Sequence, residues 1–571
     1  MSNKKPDAVY TGADALNDAL VNAGVSCVFL NSGTDYPPII ESWAKYETQG
    51  LPKPQIVISP HEIVAMSAAQ GYAQISGETQ AVFVHVDVGT QNLGGTVHNA
   101  FRCRVPVFIM AGLSPHVIEN ELRGGRNAYI QFIQNVGDQG SIVRPYTKLN
   151  QEYYSGQNIQ QMTYRALQIA DSEPKGPVYM MAAREVLEEP GKDIKADLAA
   201  WAPIAPLGLD DASVDVVTSA LLGAKKPLII TSYAGRNTET VPELVKLAEK
   251  LAIPVIEANQ SYMNFPSVNP LHMGFDARVM LGDADVILVI DSDIPWIPAL
   301  VSPNSDSRVF FIDVDPVKEA IPLWYIPSER FMKADSCTAI RQLLAKLDGS
   351  EIDGAAVAAR RAIVADKSAK QKAAWNSAIP AGDKITPEFL TKTISEVISD
   401  DTVILNEAIS NSASVEKYIP RVKPGTMFLS GGSSLGWHGG AALGMKLACP
   451  EKEIIALTGD GSYIFSCPTA VYWMAKKYNA PFMTVIFNNQ GWNAPKQISL
   501  GEHPDGYAHD LGKFWSSFDP PAQLDMIANA AGDAFARTVS KPNELKAALI
   551  AGQEAVKNGR PAVINVILPP V

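Results

Sequence analysis

Short runs of apolar residues that do not alternate with polar ones recur along the whole chain, between segments with helical spacing. Examples are SCVFLN at 26–31, PLIIT at 227–231 and EIIALT at 453–458. Such continuous runs predict parallel strands that helices cover on both faces, because a strand with one solvated face would alternate. The stretch ETVPELVKLAEKLA at 239–252 has its apolar residues three and four positions apart, as an amphipathic helix requires. The sequence therefore predicts an α/β protein.

The pattern of strands and helices falls into three blocks. At 571 residues the chain exceeds what one hydrophobic core usually organises. A polar, proline-bearing stretch at 187–208 follows the first block, and an alanine- and charge-rich stretch near 350–380, predicted to be a helical connector, precedes the third. We therefore predict three doubly wound parallel-sheet domains, at 1–187, 208–350 and 384–571.

The composition excludes several classes of protein. A net charge of −12 lacks the basic surface that broad nucleic-acid binding needs, so we expect no nucleic-acid partner. The start of the chain lacks an apolar signal core and no long apolar run occurs later, so we expect no membrane association. The five cysteines include no CxxC pair, which predicts reduced thiols and a cytoplasmic location.

Polar residues follow two neighbouring strands of the third block, at the point where each strand ends. The segment IIALTGDGSYIF places Asp460 directly after one apolar run, and APFMTVIFNNQGWN places Asn489 directly after the next. The carboxyl ends of parallel strands meet at one edge of an open sheet, which is where such sheets bind ligands. Carboxylate and amide oxygens suit Mg²⁺ held together with a phosphate-bearing ligand.

A glycine- and serine-rich loop, SGGSSLGWHGG at 430–440, precedes these segments. Backbone N–H groups in such a loop can approach an anion closely. For the loop alone, a tight turn needed for packing is at least as good an interpretation. Its order along the chain, before the GDG and NN segments, favours an anion site.

An acid opens an apolar helix in the first block. In VISPHEIVAMSAAQGYAQISG, Glu62 lies just after a predicted strand. Taken alone, it could be a helix N-terminal acid that the macrodipole favours. The small residues that follow it predict close helix packing rather than a solvent-exposed face.

These motifs together resemble the thiamine-diphosphate enzyme family that includes acetolactate synthase, benzoylformate decarboxylase, pyruvate decarboxylase and pyruvate oxidase. The resemblance covers nearly the whole chain, in the order pyrimidine-binding domain, central domain and diphosphate-binding domain. It implies that Glu62 is the activating acid, which shares a proton with N1′ of the cofactor's aminopyrimidine. It also implies that Asp460, Asn489 and the backbone carbonyl of Gly491 hold Mg²⁺.

The resemblance also implies further cofactor contacts. Leu435 matches the apolar residue that props the cofactor into its bent shape, and the backbone carbonyl of Ser433 matches the acceptor for its 4′-amino group. The remaining residues that we expect to line the diphosphate site are Ile409, Ser410, Asn411, Gly459, Gly461 and Ser462.

The substrate pocket is less familiar than the cofactor site. The segments NSGTDYPP, HVDVGTQNLGG and IQFIQNVGDQ stand where relatives carry substrate-facing loops, and Trp492 follows the metal loop. For each residue, packing or solvent hydrogen bonding is at least as good an interpretation. The predicted pocket residues are Thr34, Asp35, His85, Gln91, Gln134 and Trp492.

The central block raises the question of a flavin. Acetolactate synthases and pyruvate oxidases bind FAD in this domain, yet TSYAGRN at 231–237 and VIDSDIPWIP at 289–298 depart from the family's flavin segments. Gly235, Arg236 and Asp293 could serve only in part. FAD is possible but not favoured.

The resemblance implies an enzyme that makes or breaks the C–C bond next to a carbonyl, acting on a 2-oxo acid or diketone. Acetolactate synthase-like carboligation or lyase chemistry is preferred. The alternatives are a 2-oxo acid decarboxylase, an FAD-containing oxidase, a hydrolytic C–C lyase and a catalytically dead cofactor-fold subunit. Because the family's acid and metal site face each other across subunits, we expect a homodimer or a homotetramer.

Overall fold

The computed structural model describes residues 9–195, 197–380 and 382–570. Its strands form three sheets in which the paired strands are parallel, and helices connect most of the successive strands. The predicted α/β class with three parallel sheets is confirmed. The strands are β1 Cys27–Asn31, β2 Gln55–Ile58, β3 Gln80–Val84, β4 Val107–Leu113, β5 Asn150–Glu152, β6 Val178–Ala183, β7 Pro227–Thr231, β8 Val255–Glu257, β9 Val286–Ile290, β10 Arg308–Asp313, β11 Arg330–Lys333, β12 Val403–Glu407, β13 Met427–Phe428, β14 Ile454–Gly459, β15 Met483–Asn488, β16 Phe535–Val539 and β17 Ala562–Ile567.

The helices lie between these strands and, in the third block, also beyond the sheet edge. The α-helices are α1 Gly12–Asn22, α2 Pro37–Gln49, α3 Glu62–Ser76, α4 Asp87–Arg102, α5 Ile130–Ile133, α6 Ile159–Asp171, α7 Arg184–Glu188, α8 Asp211–Gly223, α9 Thr240–Leu251, α10 Ser336–Asp348, α11 Gly354–Ser377, α12 Pro387–Ser395, α13 Ser412–Tyr418, α14 Trp437–Ala448, α15 Asp460–Phe465, α16 Pro468–Lys477, α17 Asn493–Glu502, α18 Tyr507–Leu511, α19 Leu524–Gly532 and α20 Pro542–Lys557.

The first and third sheets have the same topology. Their strand orders are β2-β1-β3-β4-β6-β5 and β13-β12-β14-β15-β17-β16, and the second sheet runs β11-β10-β9-β7-β8. In each sheet the order reverses beside the first strand, at β1/β3, β7/β9 and β12/β14. Such a reversal opens a crevice at the carboxyl ends of the two strands, where ligands bind. The three sheets fall within the predicted domains, whose exact boundaries stay predictions.

Three edge strands were not expected from the sequence. They are Asn150–Glu152, Arg330–Lys333 and Phe535–Val539, each at the end of its sheet. Their residues are half-buried or exposed for the most part, so they lack the continuous apolar run that marks a central strand.

Helix α3 packs against α14 of the third domain through small residues, as its sequence predicts. A Cβ placed on Gly71 would lie 2.3 Å from the carbonyl oxygen of Ala441, and one on Gly440 would lie 2.7 Å from Ser67 Cβ. The two helix backbones therefore approach more closely than larger side chains would allow. This contact fixes the acid-bearing helix of the first domain against the third.

The predicted helical connector is the long helix α11. It packs on the second domain, where Arg360 Nε donates to the carbonyl of Leu251 at 3.0 Å and Ser368 Oγ donates to that of His272 at 2.9 Å. Among the described residues, no helix combines the length and the apolar character needed to cross a membrane.

Candidate active site

One cavity of about 300 Å³ lies at the carboxyl edge of the third sheet, where the strand order reverses. All the predicted cofactor residues except Glu62 line it. They are Ile409, Ser410, Asn411, Ser433, Leu435, Gly459, Asp460, Gly461, Ser462, Asn489 and Gly491. The structure thus brings together residues from separate parts of the sequence.

Asp460 opens α15 directly after β14 and is buried. Its Oδ1 accepts the backbone N–H of Gly461 at 2.8 Å, and its Oδ2 accepts that of Gly491 at 2.9 Å. Burial raises the pKa of this carboxyl, and the backbone donors oppose that rise. The carboxylate is therefore oriented by main-chain donors.

The loop after β15 supplies the rest of the predicted metal ligands. Asn489 is buried and lines the cavity beside Gly491. Gly491 has no room for a side chain, because a Cβ there would lie 2.3 Å from the carbonyl oxygen of Ser516. A carboxylate, an amide and a backbone carbonyl form an all-oxygen set that suits a hard divalent cation, so these residues fit Mg²⁺.

Trp492 lies on the wall of the same cavity, next to Gly461. Its ring packs edge-on against Phe518 with centroids 5.1 Å apart, and its backbone N–H donates to the carbonyl of Ser516 at 2.8 Å. Trp492 is therefore on the diphosphate half of the site.

The glycine- and serine-rich loop is held by the first domain. Asn99 Nδ2 donates to the carbonyl of Ser434 at 2.9 Å, and Asn99 Oδ1 accepts the N–H of Ser434 at 3.0 Å. The hydroxyl of Ser433 lies 3.2 Å from His98 Nε2. These contacts fix the loop directly before Leu435, which lines the cavity.

Glu62 is buried in the first turn of α3. Its Oε2 accepts a 3.2 Å hydrogen bond from Asn92 Nδ2. A Cβ on Gly89 would come within 3.3 Å of both Glu62 Oε1 and His85 Cβ, so Glu62 and the base of the His85 side chain lie near the same glycine. Glu62 is not among the residues that line the 300 Å³ cavity.

Three of the predicted pocket residues form one hydrogen-bonded line at the carboxyl edge of the first sheet. Asp35 Oδ1 bonds to His85 Nδ1, and His85 Nε2 lies 3.0 Å from Gln134 Oε1. Asp35 and Gln134 are buried. Burial lowers the pKa of His85. The hydrogen bond to Asp35 and the negative charge of Asp35 act in the opposite direction, and the net shift of the pKa is upward.

Two other predicted pocket residues stand apart from this line. Thr34 is exposed, and its backbone carbonyl accepts from Arg184 Nη1 at 3.3 Å. Gln91 is exposed and donates to Asp87 Oδ2 at 3.4 Å. No hydrogen bond joins either side chain to the Asp35–His85–Gln134 line among the described residues.

Sequence reasoning missed some residues of the site. Asn92 donates a hydrogen bond to Glu62, a contact that depends on the packing of α4 beside α3. The cavity wall also includes residues adjacent to predicted ones, and their proximity to the GDG and NN segments was the available signal. They are Ala408, Phe487, Ala494 and Pro495.

Comparisons with known proteins match these three domains. The thiamine pyrophosphate enzyme domains match at 10–140 (N-terminal TPP binding domain), 214–321 (central domain) and 409–566 (C-terminal TPP binding domain). The chain is 24% identical to a probable acetolactate synthase large subunit of Methanocaldococcus jannaschii, over 98% of this chain and 92% of that protein. It is 24% identical to a benzoylformate decarboxylase of Pseudomonas aeruginosa, over 95% and 96%.

A solved structure has the same fold. It is a thiamine diphosphate-dependent 4-hydroxybenzoylformate decarboxylase from Rhodococcus jostii, with a TM-score of 0.80 and 21% identity over 98% of this chain and 99% of that one. The family domains cover most of the chain in the predicted order. The chain therefore belongs to the thiamine pyrophosphate enzymes and is a thiamine-diphosphate-dependent enzyme.

Proposed function

We propose that this protein is a Mg²⁺-dependent member of the family that breaks or forms the C–C bond next to the carbonyl of a small 2-oxo acid. The single observation that carries the proposal is the cavity at the β12/β14 reversal, because its lining joins the oxygen ligands of Asp460, Asn489 and Gly491 to a glycine-rich anion cradle. Thiamine diphosphate, when bound, supplies a nucleophilic carbon and an electron sink for the bond that breaks.

The first domain supplies the proton chemistry in this proposal. Glu62, buried and oriented by Asn92, would hold the proton at N1′ of the aminopyrimidine. His85 would deliver a second proton to the substrate from Nε2, while Asp35 bonds to its Nδ1. A protonated imidazole donates from both nitrogens, which matches acceptors at Asp35 Oδ1 and Gln134 Oε1.

The Asp35–His85 pair bears on the choice between two reactions. A proton donor in the same domain as the activating acid favours decarboxylation, in which the carbon that loses CO₂ is protonated. Carboligation, the reaction that the sequence resemblance prefers, needs a carbonyl acceptor in the same place. The curated relatives include acetolactate synthases as well as a benzoylformate decarboxylase, so both outcomes belong in the same test.

A second copy of the chain would complete the site. Glu62 does not line the 300 Å³ cavity; it lies near Cys467, beside an apolar groove of about 640 Å³. That groove includes the half-exposed side chains Ile464 and Trp473. Apolar grooves of this kind on a folded chain mark contact surfaces. We propose a twofold dimer, alone or paired into a tetramer, that brings Glu62 of one copy to the cavity of the other.

The cysteines bear on the cellular compartment in which the enzyme works. All five are unpaired in the described chain. Free thiols persist in reducing compartments, so we propose that the enzyme works in the cytoplasm.

The test is a panel of 2-oxo acids, each with and without an acceptor aldehyde, assayed by product mass after loading with thiamine diphosphate and Mg²⁺. We expect CO₂ and an aldehyde from a preferred acid, or a 2-hydroxy ketone when an acceptor is present. A protein that binds both cofactor and metal yet converts no acid in the panel would contradict the proposed substrate class. Glu62→Gln serves as the inactive control.

A further inference from the structure

The second sheet has its own reversal crevice, between β7 and β9, where an open α/β sheet binds nucleotides. The family resemblance places FAD in this domain for some members. We propose that in this protein the crevice is closed to flavins and other dinucleotides by the chain's own atoms, so that the enzyme works without a flavin. Three features of the described residues carry this inference.

The two loops that border the crevice are joined to each other by main-chain hydrogen bonds. The backbone N–H groups of Ser232 and Tyr233, just after β7, both donate to the carbonyl of Asp291, just after β9, at 2.9 Å. The hydroxyls of Ser232 and Ser292 lie 2.6 Å apart. In a dinucleotide site these loops separate to admit a pyrophosphate, whereas here their polar groups bond to each other.

Gly235, in the first turn after β7, is also unavailable to a phosphate. Its N–H donates to Asn264 Oδ1 at 2.9 Å, and a Cβ on Gly235 would lie 2.0 Å from the carbonyl oxygen of Met263. Dinucleotide sites use such a glycine to let a phosphate approach the backbone. In this chain a segment between β8 and β9 makes that approach instead, and an amide oxygen takes the N–H that a phosphate would accept.

A buried charged cluster fills the mouth of the crevice. Lys318 is buried; its Nζ lies 2.9 Å from the hydroxyl of Tyr233 and 3.1 Å from Asp293 Oδ1, and it also bonds to Asp313. Arg104, which enters from the first domain, donates to Asp293 at 2.7 Å and lies 4.3 Å from the centre of the Tyr233 ring. Two cations face two carboxylates, so each of these charges already has a partner within the cluster.

The space that remains beside this cluster is small. It amounts to about 100 Å³ between the first and second domains, with Arg104 and Asp293 in its wall. Pockets that bind drug-sized ligands occupy about 300–1,000 Å³, and FAD is larger than most such ligands. A flavin in this space would displace Asp293 from Arg104 and Lys318, which would leave two buried cations without that partner.

The first test measures flavin binding to the full chain loaded with thiamine diphosphate and Mg²⁺. We expect a colourless purified protein and no saturable binding of FAD or ADP in equilibrium dialysis, while thiamine diphosphate binds in the same preparation. Stoichiometric flavin in the purified protein, or saturable FAD binding, would overturn the inference. Neither flavin result depends on which substrate the enzyme takes. Failure of this test would therefore leave the proposed substrate class untouched, and failure of the substrate panel would leave this inference untouched.

The second test measures whether the ion pairs of the cluster stabilise the folded protein or separate readily into solvent. Asp293→Asn removes the charge that Arg104 and Lys318 share, and Glu329→Gln removes one partner of the exposed Arg308–Glu329 pair, whose atoms are 2.6 Å apart. We expect Asp293→Asn to lower the urea midpoint of unfolding clearly more than the control, because buried cations lose their partner. Equal effects would mean that the cluster opens readily and would count against closure.

Discussion

The backbone N–H of Gly491 donates a 2.9 Å hydrogen bond to Asp460 Oδ2, and this contact joins the ends of β14 and β15. The other carboxylate oxygen is held by Gly461 at 2.8 Å. Both oxygens are thus oriented by the fold, which would lower the cost of assembling the proposed metal site.

Asp460→Asn should weaken cofactor binding strongly. The amide cannot accept both backbone N–H groups and carries no charge for Mg²⁺. Removing even an outer partner of a metal ligand costs about 10–100-fold in metal affinity, so we expect a loss of about 100-fold or more in the apparent affinity for Mg²⁺ and thiamine diphosphate. Isothermal titration calorimetry measures this affinity, and Asp505→Asn, at an exposed position, is the control. Unchanged affinity would remove Asp460 from the metal site.

Glu62→Gln should nearly abolish turnover and leave cofactor affinity unchanged. The substitution keeps the shape of the side chain and its contact with Asn92, but the amide cannot hold and return a proton. Acid–base groups contribute about 10²–10⁴-fold to rate, so we expect kcat to fall by about that factor. Steady-state kinetics on the substrate found in the panel check this, against the exposed Glu47→Gln. A wild-type rate for Glu62→Gln would refute the proposed role.

Asp35→Asn should lower the pKa of His85. Burial lowers this pKa, and Asp35 contributes the largest upward effects, so the wild-type imidazole stays protonated to higher pH than usual. The stability that protonation adds is present at acid pH and is lost as pH rises through the raised pKa. Without the charge of Asp35, we expect that loss to occur at a lower pH. NMR titration of the His85 ring measures this pKa in the wild type and in Asp35→Asn.

The control for this prediction is Asp87→Asn. Asp87 makes a smaller, through-space contribution to the pKa of His85. We expect a smaller shift than for Asp35→Asn. If the two variants shifted the pKa of His85 equally, the hydrogen bond that His85 donates to Asp35 would not be the main cause of the raised pKa.

Ile464→Asp should prevent assembly and therefore activity. Ile464 is 46% exposed in one chain and lines the apolar groove near Glu62. Burying such a side chain is worth about 1.5–3 kcal/mol, and a carboxylate in its place opposes burial. Size-exclusion chromatography with light scattering measures the mass, with Val268→Asp on the second domain as control. An active monomer, whether of the wild type or of Ile464→Asp, would contradict a site shared between two copies.

Gly71→Ala should destabilise the fold and reduce turnover, since its Cβ would lie 2.3 Å from the carbonyl oxygen of Ala441. Forcing α3 and α14 apart costs about 1–3 kcal/mol and moves the helix that carries Glu62. Urea denaturation measures the free energy of unfolding. Gly223→Ala is the matched control, because no described atom lies within 4 Å of its Cβ position and alanine favours a helix. Equal stability of the two variants would mean that the α3–α14 contact adapts freely.

The diphosphate half of the site could be predicted from sequence because its residues follow directly after central strands. Strand ends at a topology reversal are adjacent in space, so a local pattern such as GDG followed by NN determines a three-dimensional cluster. Glu62 follows the edge strand β2, so its assignment came from the helix that it opens and from the family resemblance. Its partner Asn92 could not be identified, because the contact joins two different helices and depends on how they pack.

The substrate half was predicted only as separate residues. Asp35, His85 and Gln134 lie on three segments far apart in sequence, and their alignment arises from tertiary packing around Gly112 and Gly33. A Cβ on Gly112 would lie 1.7 Å from Asp35 Oδ2, so that glycine makes room for the acid. Thr34 and Gln91 lie in the same segments but make their hydrogen bonds elsewhere, which spacing alone does not reveal.

Helix α4 and the turn after it touch each of the three domains. Asn92 bonds to Glu62, Asn99 holds Ser434 of the third domain, and Arg104 pairs with Asp293 of the second. The second domain contributes no described residue to the 300 Å³ cavity, yet it anchors the segment that orients the acid. A chain shortened by removal of the second domain would therefore retain the chemical groups of the site but lose the Arg104–Asp293 contact that anchors this segment.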